Sequence, residues 1–340
     1  MSENQFDISV VICCYNSANR LKQTLLHLSN QILKLGVKCE IILIDNNSND
    51  NTTQVAEEIW NEFNNDFKFQ IISESKPGLS NARKKGIECS KGEFIVFCDD
   101  DNWLQKDYLQ IGFDFMLNNA KIGMLGGIGT EFLDSETPSW FNDFKDIYAV
   151  GSQAENDGDV TFQKGYVYGA GVFFRKSTLS KLFSKGVSLQ LSDRIGKKLV
   201  SGGDNELGYL IAISGFKIYY NSNLKFVHFI TKNRLTFKYV LDIIKGHQFT
   251  YFAISEYQKL LLKKKYDFPK NRFVGLFKTI KKLIRLFMQY KSNRINTIEY
   301  KIKSTKLFYR QINLLIHYNL FLEQKEAIQK NIFFLSNFNK

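Results

Sequence analysis

Four apolar runs divide the first hundred residues, at 8–14, 40–44, 69–73 and 94–98. None alternates strictly between apolar and polar positions, the pattern of strands covered on both faces. Between the runs the apolar spacing becomes helical, with Leu21, Leu25, Leu28 and Ile32 in one segment and Val55, Ile59 and Phe63 in the next. Asn16 or Ser17 can cap the first helix, and Asn49 or Asp50 the second. Strand–helix alternation at this pace predicts an α/β protein with a parallel sheet flanked by helices.

In such sheets ligands sit beyond the carboxyl ends of the strands. Those ends read Tyr15-Asn16, Asp45-Asn46-Asn47-Ser48, Glu74-Ser75-Lys76-Pro77-Gly78 and Asp99-Asp100-Asp101-Asn102, so three of the four carry carboxylates. Alternate residues of an extended backbone face one side, roughly 6.5–7 Å apart. Asp99 and Asp101 are thus expected to face a common site, with Asp100 turned away. Two such carboxylates repel unless a cation lies between them, and a hard divalent cation on phosphate oxygens needs only one or two of them. A helix cap at Asp101 or Asn102 accounts for the same residues; from them alone both readings stay open. The first strand is not followed by Gly-x-Gly-x-x-Gly, which argues against a dinucleotide fold, and no Gly-x-x-x-x-Gly-Lys-Ser/Thr occurs, which excludes a P-loop.

With these segments in this order the chain resembles the family-2 glycosyltransferases, inverting enzymes of the GT-A fold that use nucleotide-sugar donors. The resemblance runs from Ile8 to about Arg234. It rests on Val10-Val11-Ile12-Cys13-Cys14-Tyr15-Asn16, on Ile41-Ile42-Leu43-Ile44-Asp45, on Pro77-Gly78-Leu79-Ser80-Asn81-Ala82-Arg83 and on the Asp-x-Asp motif Asp99-Asp100-Asp101. It continues in Tyr168-Gly169-Ala170-Gly171 and in Gly202-Gly203-Asp204-Asn205-Glu206-Leu207. It implies donor binding by Tyr15, Asn16, Asp45, Arg83, Asp99, Asp100, Gly169 and Ala170, with Asp45 on the base, Asp99 on the ribose and Arg83 on the pyrophosphate. It implies a divalent metal, Mn²⁺ or Mg²⁺, on Asp101, with His228 as a late ligand, and Asp204 as the general base. Two departures stand out: Gly203 replaces a frequent glutamate, removing a carboxylate beside the base, and Lys84 adds a positive charge near the phosphates.

Blander roles compete at each position. Asp45 can close an Asx-turn, Arg83 can be a solvated surface residue, and Asp204 can cap a helix over 205–214. His228, in an apolar run, can be a core histidine. Trp140 can stack on a sugar or fill the core.

Residues 232–340 hold 23 Lys and Arg against 6 Asp and Glu, a net +17, whereas residues 1–231 hold 23 against 28, a net −5. The whole-chain charge of +12 therefore belongs to the C-terminal third. The expected organisation is a catalytic domain over 1–231, with a nucleotide-sugar half near 1–105 and an acceptor half near 106–231, followed by a basic helical region over 232–340. Such asymmetry points to an anionic partner. Over 273–289, Phe273, Leu276, Phe277, Ile280, Leu283, Ile284 and Phe287 share one helical face, and Lys278, Lys281, Lys282 and Arg285 the other. That pattern suits an anionic inner-leaflet surface; packing against the catalytic domain is the alternative.

The acceptor implied is a glycan or lipid-linked hydroxyl, in surface polysaccharide or glycoconjugate synthesis. A sugar-phosphate nucleotidyltransferase is the enzymatic alternative, although its Gly-rich basic loop is absent at 15–20. A basic nucleic-acid-binding protein is the alternative of another class, although no RNA-binding signature occurs. The five cysteines, at 13, 14, 39, 89 and 98, match no zinc or disulfide spacing, and residues 1–7 carry no signal-peptide pattern, so a reduced, cytoplasmic setting is expected.

Overall fold

The computed structural model describes residues 5–63, 66–194 and 199–336, so the reading of residues 1–4 lies outside the described residues. In chain order these form β1 (Phe6–Cys14), α1 (Leu21–Ser29), β2 (Cys39–Asp45), α2 (Thr52–Asn61), β3 (Lys68–Ser73), α3 (Leu79–Cys89), β4 (Gly92–Asp99) and β5 (Asn102–Leu104). There follow α4 (Tyr108–Asn118), β6 (Ile122–Leu133), β7 (Gly158–Asp159), β8 (Val172–Arg175), α5 (Lys176–Ser184), α6 (Gly203–Ile213) and β9 (Lys217–Ile230). Three helices close the chain: α7 (Phe237–Leu262), α8 (Leu276–Lys291) and α9 (Thr297–Ser336).

β3, β2, β1 and β4 are parallel neighbours in that order. β8 joins β4 antiparallel, and β6, β9 and β5 continue the sheet. The runs of β1, β2 and β4 are strands covered on both faces, whereas β3, at the sheet edge, is only half-buried. Along β1, Val11 faces one core with Ala82 and Ile87 of α3, while Val10 and Ile12 face another with Leu21 and Leu25 of α1. Burying each such side chain stabilises the fold by about 1.5–3 kcal/mol. The α3 crossing is tight: a Cβ at Gly86 would lie 2.3 Å from Val11 Cγ1.

The helix starts differ in part from expectation. α1 has no side-chain cap; Asn16 adopts a left-handed φ of 52°, and Ser17 spends its hydroxyl on Asp100. Asp50 does bond the Thr52 N–H at 3.0 Å, at the start of α2. α1 also ends before Ile32, which is exposed.

α7 and α9 extend the core behind α6: Ala253, Tyr257, Leu261, Ile328 and Leu335 join the cluster containing Leu207 and Leu210. α8 is different. Its one buried residue, Leu286, faces α9, while Phe277, Ile280, Ile284, Phe287 and Met288 are 44–80 % exposed. An amphipathic helix of a globular protein normally turns its apolar stripe to the core; this one turns it outward. Among the described residues no helix is long and apolar enough to cross a membrane.

Candidate active site

Beyond the carboxyl ends of β1, β2 and β4 opens a cleft of about 1370 Å³. Its walls include Tyr15, Arg83, Asp99, Asp100, Asp101, Gly169, Ala170, Asp204 and His228, which the fold brings together from segments up to 213 positions apart. Asn16 and Asp45 are not on the wall. They sit in adjoining turns, Asn16 Oδ1 accepting the Asn49 N–H at 2.9 Å and Asp45 Oδ1 the Ser48 N–H at 3.4 Å. Asn46 and Asn47 line the cleft beside them. Trp140 does not line the cleft but packs on Phe237 and on Phe144, a wall residue.

β4 ends at Asp99, so the extended-strand spacing does not carry through to Asp101. All three aspartates line the cleft, including Asp100, and each faces a different cation. Asp100 Oδ2 accepts from Arg20 at 2.5 Å and from Ser17. Asp99 Oδ1 lies 4.0 Å from Arg83 Nη2. Asp101 Oδ2 accepts from Arg234 Nη1 at 2.6 Å. Burial raises the Asp99 and Asp100 carboxyls above their ordinary range despite Arg83 and Arg20 beside them. Burial acts the same way on Asp101, but His228 and Arg234 outweigh it and hold that carboxyl well below its ordinary range.

His228 Nδ1 lies 2.5 Å from the Tyr148 carbonyl, which can only accept, so the proton on that nitrogen is fixed. The opposite nitrogen, Nε2, is buried without a hydrogen-bond partner and faces Asp101 Oδ1 at 3.4 Å. Protonated, Nε2 pairs with Asp101 and depresses its carboxyl; deprotonated, its lone pair and the carboxylate oxygen can hold a metal cation between them. A backbone-anchored histidine with its second nitrogen free is the arrangement of a metal ligand. Among the described residues no three His, Cys, Asp or Glu side chains converge as a metal site. A cation that also takes phosphate oxygens needs no more than the two groups present, so the residues fit such an ion.

Asp204 stands in the first turn of α6. Oδ2 accepts the Gly169 N–H at 2.9 Å and Oδ1 the Asn205 N–H at 3.0 Å. A Cβ at Gly169 would lie 2.7 Å from Arg83 Nη2 and 3.2 Å from Asp204 Oδ2, so a side chain there would displace the tip of Arg83. Burial, then Asp193, raises the Asp204 carboxyl above its ordinary range, with Arg83 opposing. Arg83 is buried rather than solvated; its Nη1 donates to Asp193 Oδ2 at 2.9 Å. The carboxylate expected to be missing beside the base is supplied by Asp193, whose Oδ1 accepts the Gly202 and Gly203 N–H groups at 3.2 and 2.8 Å. Lys84 is exposed beside Glu88, off the cleft wall.

The far wall comes from α7, through His247, Gln248 and Tyr251, from Lys306 of α9, and from Asp143, Phe144 and Asp146. Lys164 lies 4.7 and 4.2 Å from the Tyr166 and Tyr168 ring centres, and burial lowers its ammonium to about 8 despite Asp204. Arg20, Lys164, Asp193 and Arg234 all escaped the reading of the sequence. Arg234 lies just past the carboxyl end of β9, where the strand-end rule could have found it. Asp193 sits in an irregular loop and carried no signal.

The Glycosyl transferase family 2 model matches residues 9–183, just over half of the chain. A stretch of 103 residues, 30 % of this chain and 28 % of the relative, is 34 % identical to the putative glycosyltransferase EpsH of Bacillus subtilis (strain 168). Another, of 180 residues, is 25 % identical to the poly(ribitol-phosphate) β-N-acetylglucosaminyltransferase TarP of Staphylococcus aureus (strain N315), covering 53 % of this chain and 49 % of that one. The chain spans 28–30 % of the length of the first curated relatives it matches. The solved mannosyltransferase PcManGT of Pyrobaculum calidifontis, in complex with GDP-Man and Mn²⁺, superposes with a TM-score of 0.60 over 92 % of this chain and 88 % of its own. At 16 % identity that likeness shows a shared GT-A fold.

Proposed function

The chain belongs to the family-2 glycosyltransferases, and from that premise we propose that it moves a sugar, with inversion, from a nucleoside-diphosphate sugar to a hydroxyl of a glycan or lipid-linked acceptor. The observation that carries this reading is one cleft holding both the Asp101–His228 pair and a half-buried carboxylate, Asp204, with raised proton affinity. Asp204 takes the proton from the acceptor hydroxyl as that oxygen attacks the anomeric carbon. The bond from that carbon to the diphosphate breaks on the opposite face. Asp101 and His228 would hold Mn²⁺ or Mg²⁺, which when bound offsets the charge of the departing diphosphate; the solved mannosyltransferase, in complex with GDP-Man and Mn²⁺, supports that assignment.

Tyr15, Asn16 and Asp45, with Asn46 and Asn47, are assigned to the nucleoside end, Asp99 and Asp100 to the ribose side, and Gly169 and Ala170 to the sugar. Arg83 keeps Nη2 between Asp99 and Gly169, where it meets the donor phosphates. Residues 1–231 form the catalytic unit in this reading, and 232–340 add α7 and Lys306 as an acceptor wall. The nucleotidyltransferase and nucleic-acid readings leave Asp204 without a task. The names of the relatives, a poly(ribitol-phosphate) transferase among them, support a role in surface-polymer synthesis. A screen of nucleoside-diphosphate sugars for diphosphate release, with and without Mn²⁺, tests the whole reading: no release from any donor refutes it.

The outward stripe of α8 supports attachment to an anionic inner leaflet from the cytoplasmic side. Lys278, Lys281, Lys282 and Arg285 flank Phe277, Ile280 and Ile284, and a groove of about 360 Å³ between α8 and α9 adds Lys303, Lys306 and Arg310. Among the described residues no carboxylate lines that groove. Each cation near an anionic leaflet contributes about 1 kcal/mol, so the four on α8 together give about 4 kcal/mol, enough for reversible binding. Lys306 lines both the groove and the cleft, which sets the acceptor wall beside the surface proposed to meet lipid.

A further inference from the structure

Gly203 opens α6 with an ordinary backbone conformation, so nothing in its φ requires glycine. What excludes a side chain is Asp193. A Cβ at 203 would lie 2.4 Å from Asp193 Oδ2, 2.9 Å from Cγ and 3.0 Å from Oδ1. The carboxylate of a distant loop thus fills the volume in which a side chain of residue 203 would begin. It is 5 % exposed and held from three sides, by the Gly202 and Gly203 N–H groups and by Arg83 Nη1, while its own N–H donates to Ser80 Oγ at 2.9 Å.

We propose that Asp193 is a positioning residue of the transfer reaction, which engages Arg83 and pins the first turn of α6 so that Asp204 stays oriented and basic. Arg83 faces three carboxylates, Asp193, Asp99 and Asp204, and only Asp193 is in direct hydrogen-bond contact with it. With Asp193 gone, the guanidinium turns its charge on Asp204, whose Oδ2 lies across the Gly169 backbone from Nη2. An arginine pressed against a base lowers its proton affinity and its strength as a base. Asp193 Oδ1 also holds the N–H groups of 202 and 203, which set the angle at which α6 presents residue 204; an asparagine keeps both bonds through its carbonyl and loses only the Arg83 contact. Lys164, Tyr166 and Tyr168 also interact with Asp204 across the cleft lining and are unchanged by the substitution.

The inference rests on Asp204 being the base, and it is tested by moving the carboxylate from one element to the other. Asp193→Asn is expected to lower kcat roughly 10- to 100-fold, the usual effect of removing an orienting partner, with donor KM within about threefold. Gly203→Asp alone is expected to lose activity, because two carboxylates compete for one space. The double variant Asp193→Gly, Gly203→Asp starts a carboxylate from the same space beside Arg83 and is expected to recover most of the lost kcat. Thermal melts and calorimetric binding of UDP and GDP identify any variant that fails to fold. Wild-type kcat in Asp193→Asn overturns the inference, as does a folded, nucleotide-binding double variant no more active than the weaker single one. A fully active Asp204→Asn instead refutes the base assignment, whereas an inactive Asp204→Asn beside an active Asp193→Asn refutes this inference alone.

Discussion

Asp204→Asn separates the chemistry of that side chain from its structural duties. The carboxylate accepts two backbone N–H groups, from Gly169 at 2.9 Å and from Asn205 at 3.0 Å. An asparagine carbonyl can keep one of them, and its amide faces the other, so one hydrogen bond of about 1 kcal/mol is lost. The fold therefore survives with a melting temperature only a few degrees lower. Catalysis has no such substitute, because an amide cannot take the acceptor proton. Loss of general-base assistance is expected to cost roughly 10²–10⁴ in kcat, or about 2.7–5.4 kcal/mol at 1.36 kcal/mol per decade. Diphosphate release under saturating donor and acceptor reads the rate, calorimetry with UDP and GDP reads nucleotide binding, and a thermal melt reads the fold. Burial and Asp193 raise the carboxyl, and the base works only when deprotonated. The wild-type rate thus falls as pH drops through a value above the ordinary aspartate range, and the residual rate of the variant lacks that limb. A folded, nucleotide-binding Asn variant turning over near the wild-type rate refutes the reasoning and leaves Asp204 a structural residue.

Asp101→Ala and His228→Ala are each expected to weaken Mn²⁺ binding in the presence of nucleoside diphosphate by at least about tenfold in calorimetry, and excess chelator to abolish turnover; undiminished transfer in chelator removes the metal assignment. Changing Lys278, Lys281, Lys282 and Arg285 to Gln is expected to release the protein from anionic vesicles in co-sedimentation, with wild-type binding falling as salt rises; equal binding of the wild type to neutral and anionic vesicles rules out the leaflet. Burial lifts the Glu206 carboxyl to about 7, although Tyr257 and the backbone of Gln190 and Leu191 donate to it. The folded state therefore holds this proton more tightly than the unfolded chain, whose glutamate titrates near about 4.3, so its contribution is full below that value and is lost as pH rises toward 7. Glu206→Gln is expected to flatten that slope in melts over this range, and an unchanged slope contradicts it.

The sheet and its flanking helices were legible in the sequence because their causes are local. Apolar-rich runs without strict alternation mark β1 to β4, and periodic leucines mark α1, each within a dozen residues. The strand-end rule and the family motifs likewise located Asp99, Asp100, Asp101, Gly169, Asp204 and His228, which are contiguous with the elements that carry them. The partners of these groups were not legible. Arg20, Asp193 and Arg234 are single polar residues in turns, without periodicity, and they acquire meaning only when the chain returns them to Asp100, Arg83 and Asp101 across 80, 110 and 133 positions. Composition predicted an amphipathic basic helix in α8, but amphipathicity is a property of one helix, whereas which face is left to solvent depends on the helix beside it. Packing on α9 through Leu286 decided that the apolar stripe points outward. At Gly203 the sequence showed a missing carboxylate; the folded chain filled the gap from another loop, because a buried arginine requires a negative partner but not one at any particular place in the sequence.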